Sequence, residues 1–177
     1  ELSPKEVENL QKYLWLGGAV WGDSSVPGKN SRFDLAFRRE MKKVLPDIDK
    51  AWEKLPAQHP VFSQGFFPEV RSVPAGLNSY REPVEVLKVH GQIAVLYTSN
   101  DYGNMWQVGL DKSGQIDLRR NERGGFVATD ETIWSNRASY LRNLSQESLT
   151  DTYKFGTNVV IHLLGRWENL RAGAGPL

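Results

Sequence analysis

Cysteine is absent from this chain of 177 residues. Its absence excludes disulfide bonds, thiolate metal sites and cysteine nucleophiles at once, although a cysteine-free chain suits either redox environment. An excess of one charge is also lacking: the net charge is +1, so we expect neither nucleic acid nor an anionic membrane as the main partner. No apolar run approaches the roughly 20 residues that span a membrane. The remaining composition predicts a single globular domain over residues 1–177.

The start of the chain carries clear helix boundary signals. Ser3 suits an N-cap, and Glu6 three residues later completes a capping box, so a helix is predicted over residues 3–16. A pair of glycines ends that helix, because glycine readily takes the left-handed conformation that follows a last turn. The apolar residues 19–22 then predict a short buried strand that ends at Asp23.

Two further strands are predicted in the middle of the chain, over residues 84–89 and 92–99. They flank His90-Gly91, a two-residue connection that is typical of a β-hairpin. The second strand is almost continuously apolar, as expected for a strand that is covered on both faces. Between these regions the sequence predicts a helix from Ser31 to Pro46, a helical turn at 47–56, and a loop at 57–62 that inserts Val61 and Phe62 into the core. After the second strand it predicts a long excursion at 102–149 with a short helix near 131–142. A last helix is predicted at 150–167.

The order of four motifs carries a family resemblance. "LSPKEVENLQKYLWLGGAVWGD", "HPVF", "VLYTSNDYGNMW" and "FGTNVVIHLL" together resemble a bacterial family known as domain of unknown function 4159. That family is similar to the class I glutamine amidotransferase-like fold. The resemblance therefore implies an α/β domain of three layers, with a largely parallel, flavodoxin-like sheet flanked by helices.

The same resemblance has implications for the protein that surrounds this chain. Family members carry additional strands before the first motif, which implies that this chain lacks N-terminal strands and is the C-terminal portion of a longer protein. Members are often exported or membrane-associated, which favours a periplasmic or other extracytoplasmic setting. The implied partners are other domains or proteins of the same assembly.

The ends of two strands are the candidate site, because ligands of open α/β sheets bind there. In active relatives of the amidotransferase-like fold, the turn after the first strand carries a cysteine and the turn after the second carries its histidine and glutamate partners. Here the first turn contains Asp23 and the second reads Ser99-Asn100-Asp101, so cysteine-dependent glutaminase activity is excluded for this chain. The candidate cleft comprises Trp21, Asp23, Ser99, Asn100, Asp101, Trp106 and Asn158.

Two interpretations of the aspartates remain open from sequence. Asp23 and Asp101 could act as an acid/base pair or bind a divalent cation, or each could cap a loop or helix by accepting backbone N–H bonds. Asn158 is predicted to bond to the loop near Asn100. Histidines 59, 90 and 162 match no metal motif, so neither a metal nor a cofactor is predicted.

The sequence leaves three functional hypotheses. The first is a non-catalytic binding or assembly module with a degenerate amidotransferase-like site and an unidentified ligand. The alternative is a hydrolase that uses Asp23 and Asp101, with or without a divalent cation. A third is sugar or glycan binding through the tryptophan-rich loops. The cluster of Arg119, Arg120 and Arg123 is typical of a solvated face; the alternative is contact with an anion or a carbohydrate acid, with Trp106 and Trp134 as stacking surfaces.

Overall fold

The computed structural model describes residues 1–26, 28–46, 52–63, 65–106, 113 and 146–173. The predicted helix at 131–142, the arginines at 119, 120 and 123 and Trp134 lie outside these residues. The elements in chain order are α1 (Pro4–Trp15), β1 (Val20–Asp23), α2 (Arg32–Val44), β2 (Glu53–Lys54), α3 (Pro60–Ser63), a 3₁₀ turn (Leu77–Ser79), β3 (Glu85–Val89), β4 (Gln92–Thr98), α4 (Tyr102–Trp106) and α5 (Gln146–Gly173).

The four strands form one sheet in the order β1-β4-β3-β2. Only the pair β1–β4 is parallel, whereas β2–β3 and β3–β4 are antiparallel. The described sheet is therefore mostly antiparallel, and the expectation of a largely parallel sheet does not fit it. The reason is local, because a two-residue turn can only join antiparallel strands. In that turn His90 and Gly91 have φ values of 53° and 74°, which suit a tight hairpin.

Both helix starts that the sequence predicts in its first third are confirmed. The Ser3 hydroxyl accepts the backbone N–H of Glu6, whose carboxylate accepts the N–H of Ser3 in return. Likewise, the hydroxyl of Ser31 accepts the N–H of Asp34 at the start of α2. These bonds satisfy N–H groups that have no partner within the first turn of a helix.

Helices cover both faces of the sheet. Neighbouring residues of β4 point to opposite faces. Leu96 belongs to a hydrophobic cluster that includes Phe155 and other residues of α3, α4 and α5. Val95 belongs to a second cluster, with Leu14 of α1 and Met41 of α2. Since full burial of one such side chain contributes about 1.5–3 kcal/mol, these two clusters hold the layers together.

Three predicted elements differ from the structure. Within the predicted helical turn at 47–56, Glu53–Lys54 form an edge strand paired with β3, and residues 47–51 lie outside the described residues. The predicted loop at 57–62 contains the start of the short helix α3, although Val61 and Phe62 are fully buried as expected. The last helix begins earlier and ends later than predicted, at Gln146 and Gly173.

Candidate functional site

The parallel pairing of β1 and β4 brings the two polar strand ends to the same edge of the sheet. Its register places Trp21 opposite Leu96 and Asp23 opposite Thr98, and residues 99–101 follow Thr98 directly. The helix α4 begins immediately after that turn. Any chemistry at this edge therefore depends on which side-chain atoms are still available there.

Asp23 connects three elements through its two carboxylate oxygens. One oxygen accepts the hydroxyl of Thr98 at 2.7 Å, and the other accepts the backbone N–H of Gly103 at 2.7 Å. Burial raises the pKa of Asp23, although hydrogen bonds from Thr98, Gly103 and Tyr102 favour its charged form. The aspartate thus ties the ends of β1 and β4 to the first turn of α4.

Asp101 immediately precedes α4 and is almost fully buried. Its backbone has a φ of 57°, in the left-handed region that aspartate tolerates better than most residues. One carboxylate oxygen accepts the side-chain amide of Asn104 at 2.7 Å. Both acidic residues of the predicted site therefore take part in hydrogen bonds around the start of the same short helix.

Asn100 binds a distant part of the backbone. The irregular segment, residues 65–84, contains no helix or strand beyond one 3₁₀ turn. Within it, Glu82 donates its N–H to the Asn100 side-chain oxygen at 2.7 Å, and its carbonyl accepts the Asn100 amide at 2.9 Å. The carbonyl of Asn100 accepts the N–H of Leu77 at 2.8 Å, and the carbonyl of Ser99 accepts the N–H of Gly28 at 2.8 Å. The turn after β4 thus serves as an attachment point for two loops.

Asn158 makes an equivalent pair of bonds from α5. Its side-chain oxygen accepts the N–H of Phe67 at 2.8 Å, and its amide donates to the Phe67 carbonyl at 2.9 Å. The sequence-based expectation that Asn158 bonds near Asn100 is therefore wrong. Two fully buried asparagines instead hold opposite ends of the irregular segment. An asparagine within an apolar helix face was the only sequence signal for this role.

The two tryptophans of the predicted cleft pack mainly against protein. Trp21 donates its indole N–H to the Thr98 hydroxyl at 3.0 Å and meets Trp106 edge to face, with ring centroids 5.2 Å apart. Trp106 also stacks on Tyr102, and its carbonyl accepts the hydroxyl of Tyr153 at 2.9 Å. These contacts couple β1, α4 and α5, and both tryptophans are half-buried.

Two open cavities lie away from the two aspartates. An apolar groove of about 540 Å³ separates the end of α1 from α5, with Leu16, Leu164 and Trp167 among its lining. A polar cavity of about 390 Å³ lies between the irregular segment and the first turns of α5. Arg71 and Arg81 line the polar cavity, and sequence reasoning missed both because they lie in a segment without periodicity.

His59, just before α3, and His162 of α5 form a half-buried pair. Their ring centroids are 5.3 Å apart, and Nδ1 of His59 accepts the backbone N–H of Val61 at 3.2 Å. Burial lowers the pKa of His59, as do the neighbouring His162 and Lys88. Burial also lowers the pKa of His162. The environment of both imidazoles therefore favours the neutral form.

We expect the free energy of unfolding to fall as the pH is lowered from about 7 to about 5.5. A folded-state pKa below the unfolded value of about 6.5 means that the unfolded chain takes up protons first. The stabilisation is thus complete above that value and is lost as pH falls through it. Urea denaturation at several pH values measures the slope, which His59→Gln/His162→Gln should reduce. An equal reduction by His90→Gln, in the exposed hairpin turn, would contradict this origin.

Within the described ranges, no three histidine, aspartate or glutamate side chains are arranged to hold a metal ion. No helix there combines the length and the apolar character needed to cross a lipid bilayer.

The chain matches one known protein family. A family model described as "Domain of unknown function (DUF4159)" matches residues 1–164, which is most of the 177 residues. The comparison with curated proteins gave no match. The motif order that carried the resemblance, from the capped first helix to the "FGTNVVIHLL" stretch, falls within the matched region. The chain therefore belongs to the DUF4159 family.

Proposed function

We propose that this chain is a non-catalytic binding or assembly module with a degenerate amidotransferase-like site. The single observation that carries the proposal is the use of the strand-end side chains within the protein. Both oxygens of Asp23 accept hydrogen bonds from Thr98 and Gly103, and both ends of the Asn100 amide bind Glu82. These bonds hold both side chains against their own protein, whereas a catalytic acid or base must lie within hydrogen-bond reach of a substrate.

We also propose that the described sheet is part of a three-layer, amidotransferase-like fold. The parallel pairing of β1 with β4 and the helices on both faces support this assignment. The two turns at which that fold carries its catalytic groups would then be the turns that contain Asp23 and Asp101. An extracytoplasmic location, with other domains or proteins of the same assembly as partners, belongs to the same proposal.

A hydrolase that uses Asp23 and Asp101 is the alternative. The raised pKa of Asp23 favours it, because burial shifts of this kind are common among catalytic carboxyl groups. Its weakness is that Asp23 already accepts a bond at each oxygen and Asp101 accepts one from Asn104. Residues held in this way are typical of helix and loop caps.

A cation titration separates the two functions. We expect the melting temperature to be insensitive to millimolar Mg²⁺, Mn²⁺ or Ca²⁺, because a ligand stabilises a protein only where it binds the folded state. Asp23→Asn should remain folded, since asparagine can still accept from Gly103 while it donates to the Thr98 hydroxyl. Differential scanning fluorimetry measures the melting temperature of the unaltered protein and of Asp23→Asn, with and without each cation.

The matched control is Glu168→Gln, which removes an exposed carboxylate on α5. A cation-dependent rise in melting temperature that is lost in Asp23→Asn but kept in Glu168→Gln would contradict the proposal. Such a result would favour the hydrolase with a divalent cation.

A further inference from the structure

The polar cavity of about 390 Å³ has two walls of different origin. One wall is the irregular segment, which contributes Arg71 and Arg81. The other is the start of α5, which contributes Glu147 and Asp151. Glu147 and Asp151 are four residues apart on a helix, so they lie on the same face. The cavity therefore presents two cationic groups on one side and two anionic groups on the other.

These four charged groups do not neutralise one another. Among the described residues, none of the four has a nitrogen–oxygen ion pair within the 4.0 Å that defines such a contact. All four side chains remain exposed to solvent, so a ligand can reach them. Opposite charges that face a shared cavity without meeting favour a molecule that places one charge against each wall.

The third carboxylate of the lining is already used. Glu69 pairs with Lys154 of α5 at 2.8 Å. This pair joins the two walls at one end and cancels its own charge. The remaining charged side chains of the cavity are two arginines and two carboxylates. Because their charges are equal in number and opposite in sign, neither a simple anion nor a simple cation matches the cavity. A metal ion is also a poor match, because no cluster of three metal-binding side chains occurs among the described residues.

We propose that this cavity binds a short peptide with free ends, its carboxylate against Arg71 and Arg81 and its ammonium group against Glu147 and Asp151. Guanidinium groups bind carboxylates in a bidentate geometry, and carboxylates accept the hydrogen bonds of an ammonium group. The volume lies within the range of small-molecule sites. This inference rests on the proposed function, because it names the ligand of a binding module, and it uses a site that contains neither Asp23 nor Asp101.

Isothermal titration calorimetry with trialanine tests the proposal. Since solvent-exposed ion pairs are individually weak, we expect a dissociation constant on the order of 1 mM. N-acetyl-trialanine lacks the ammonium group and trialanine amide lacks the carboxylate, so each should bind about fivefold more weakly. Equal binding of all three peptides, or no binding of trialanine at millimolar concentration, would overturn the proposal.

Charge-neutralising variants test which wall of the cavity binds which end of the peptide. Arg71→Gln and Arg81→Gln should weaken trialanine about fivefold but leave trialanine amide nearly unchanged. Glu147→Gln and Asp151→Asn should weaken trialanine similarly but leave N-acetyl-trialanine nearly unchanged. Arg32→Gln, at an exposed arginine on α2, is the matched control and should bind all three peptides as the unaltered protein does. The reverse pattern between the walls, or equal losses in Arg32→Gln, would contradict the assignment.

Mass spectrometry of the titrated samples shows whether the peptide is cleaved, and so tests the proposed non-catalytic function separately from the peptide site. Intact trialanine after long incubation, together with binding, agrees with both. Cleavage of the peptide would overturn the non-catalytic function, whatever its affinity. Absence of binding would overturn only the peptide site, and tighter binding of inorganic phosphate than of trialanine would replace it with an anion site.

Discussion

Replacing Asn100 with leucine should lower the free energy of unfolding by about 3 kcal/mol. The side chain is fully buried, and its amide satisfies both backbone groups of Glu82 at 2.7 and 2.9 Å. Leucine has a similar shape but leaves both groups without that partner. Each unsatisfied buried polar group costs about 1–3 kcal/mol. Urea denaturation followed by tryptophan fluorescence measures the loss as a lower midpoint.

Asn169→Leu is the matched control for this variant. Asn169 is exposed on α5. We expect its replacement to change the free energy of unfolding by about 0.5 kcal/mol or less. Similar losses in both variants would show that Asn100 has no special role as an attachment point for the irregular segment.

Gly76→Ala should be destabilising by roughly 3 kcal/mol or more, because it adds a methyl group where backbone already lies. A Cβ at this position would approach the Cβ of Asn100 to 2.6 Å and its carbonyl oxygen more closely still. That carbonyl accepts the N–H of Leu77 at 2.8 Å, so it cannot move aside without losing a bond. Thermal and urea denaturation of the purified variant measure the effect.

Gly165→Ala is the matched control for Gly76→Ala, because here the same substitution should raise the stability of the protein. A Cβ at Gly165 meets nothing within 4 Å, and the residue lies inside α5. Alanine should therefore stabilise the protein by about 0.5–1 kcal/mol, since glycine loses more conformational entropy in a helix. If Gly76→Ala were also neutral or stabilising, the close packing of the irregular segment against the turn after β4 would be refuted.

The Asn100 and Gly76 variants alter the packing of the irregular segment, which also forms one wall of the proposed peptide site. Asn100 and Asn158 hold the segment that carries Arg71 and Arg81. The turn after β4 therefore helps to fix one wall of the neighbouring cavity.

Much of the local structure could be predicted from the sequence. The capping box at Ser3 and Glu6, the N-cap at Ser31 and the hairpin at His90-Gly91 all depend on hydrogen bonds or backbone angles within a few residues. The candidate strand ends were also readable, because apolar runs stop there abruptly. The absence of cysteine excluded a thiol mechanism without any coordinates.

Only the tertiary structure decided how those pieces meet. Asn158 and Phe67 are separated by 91 positions, and Asp23 and Thr98 by 75, so no local pattern encodes either contact. The two-residue strand β2 and the mostly antiparallel sheet likewise depend on which segments pair. The polar cavity lies where this aperiodic segment, to which two buried asparagines bond, faces the start of α5. Hydrogen bonds between residues close in sequence can be predicted from those residues alone. The long-range contacts form only when distant segments pack together, so the sequence pattern did not predict them.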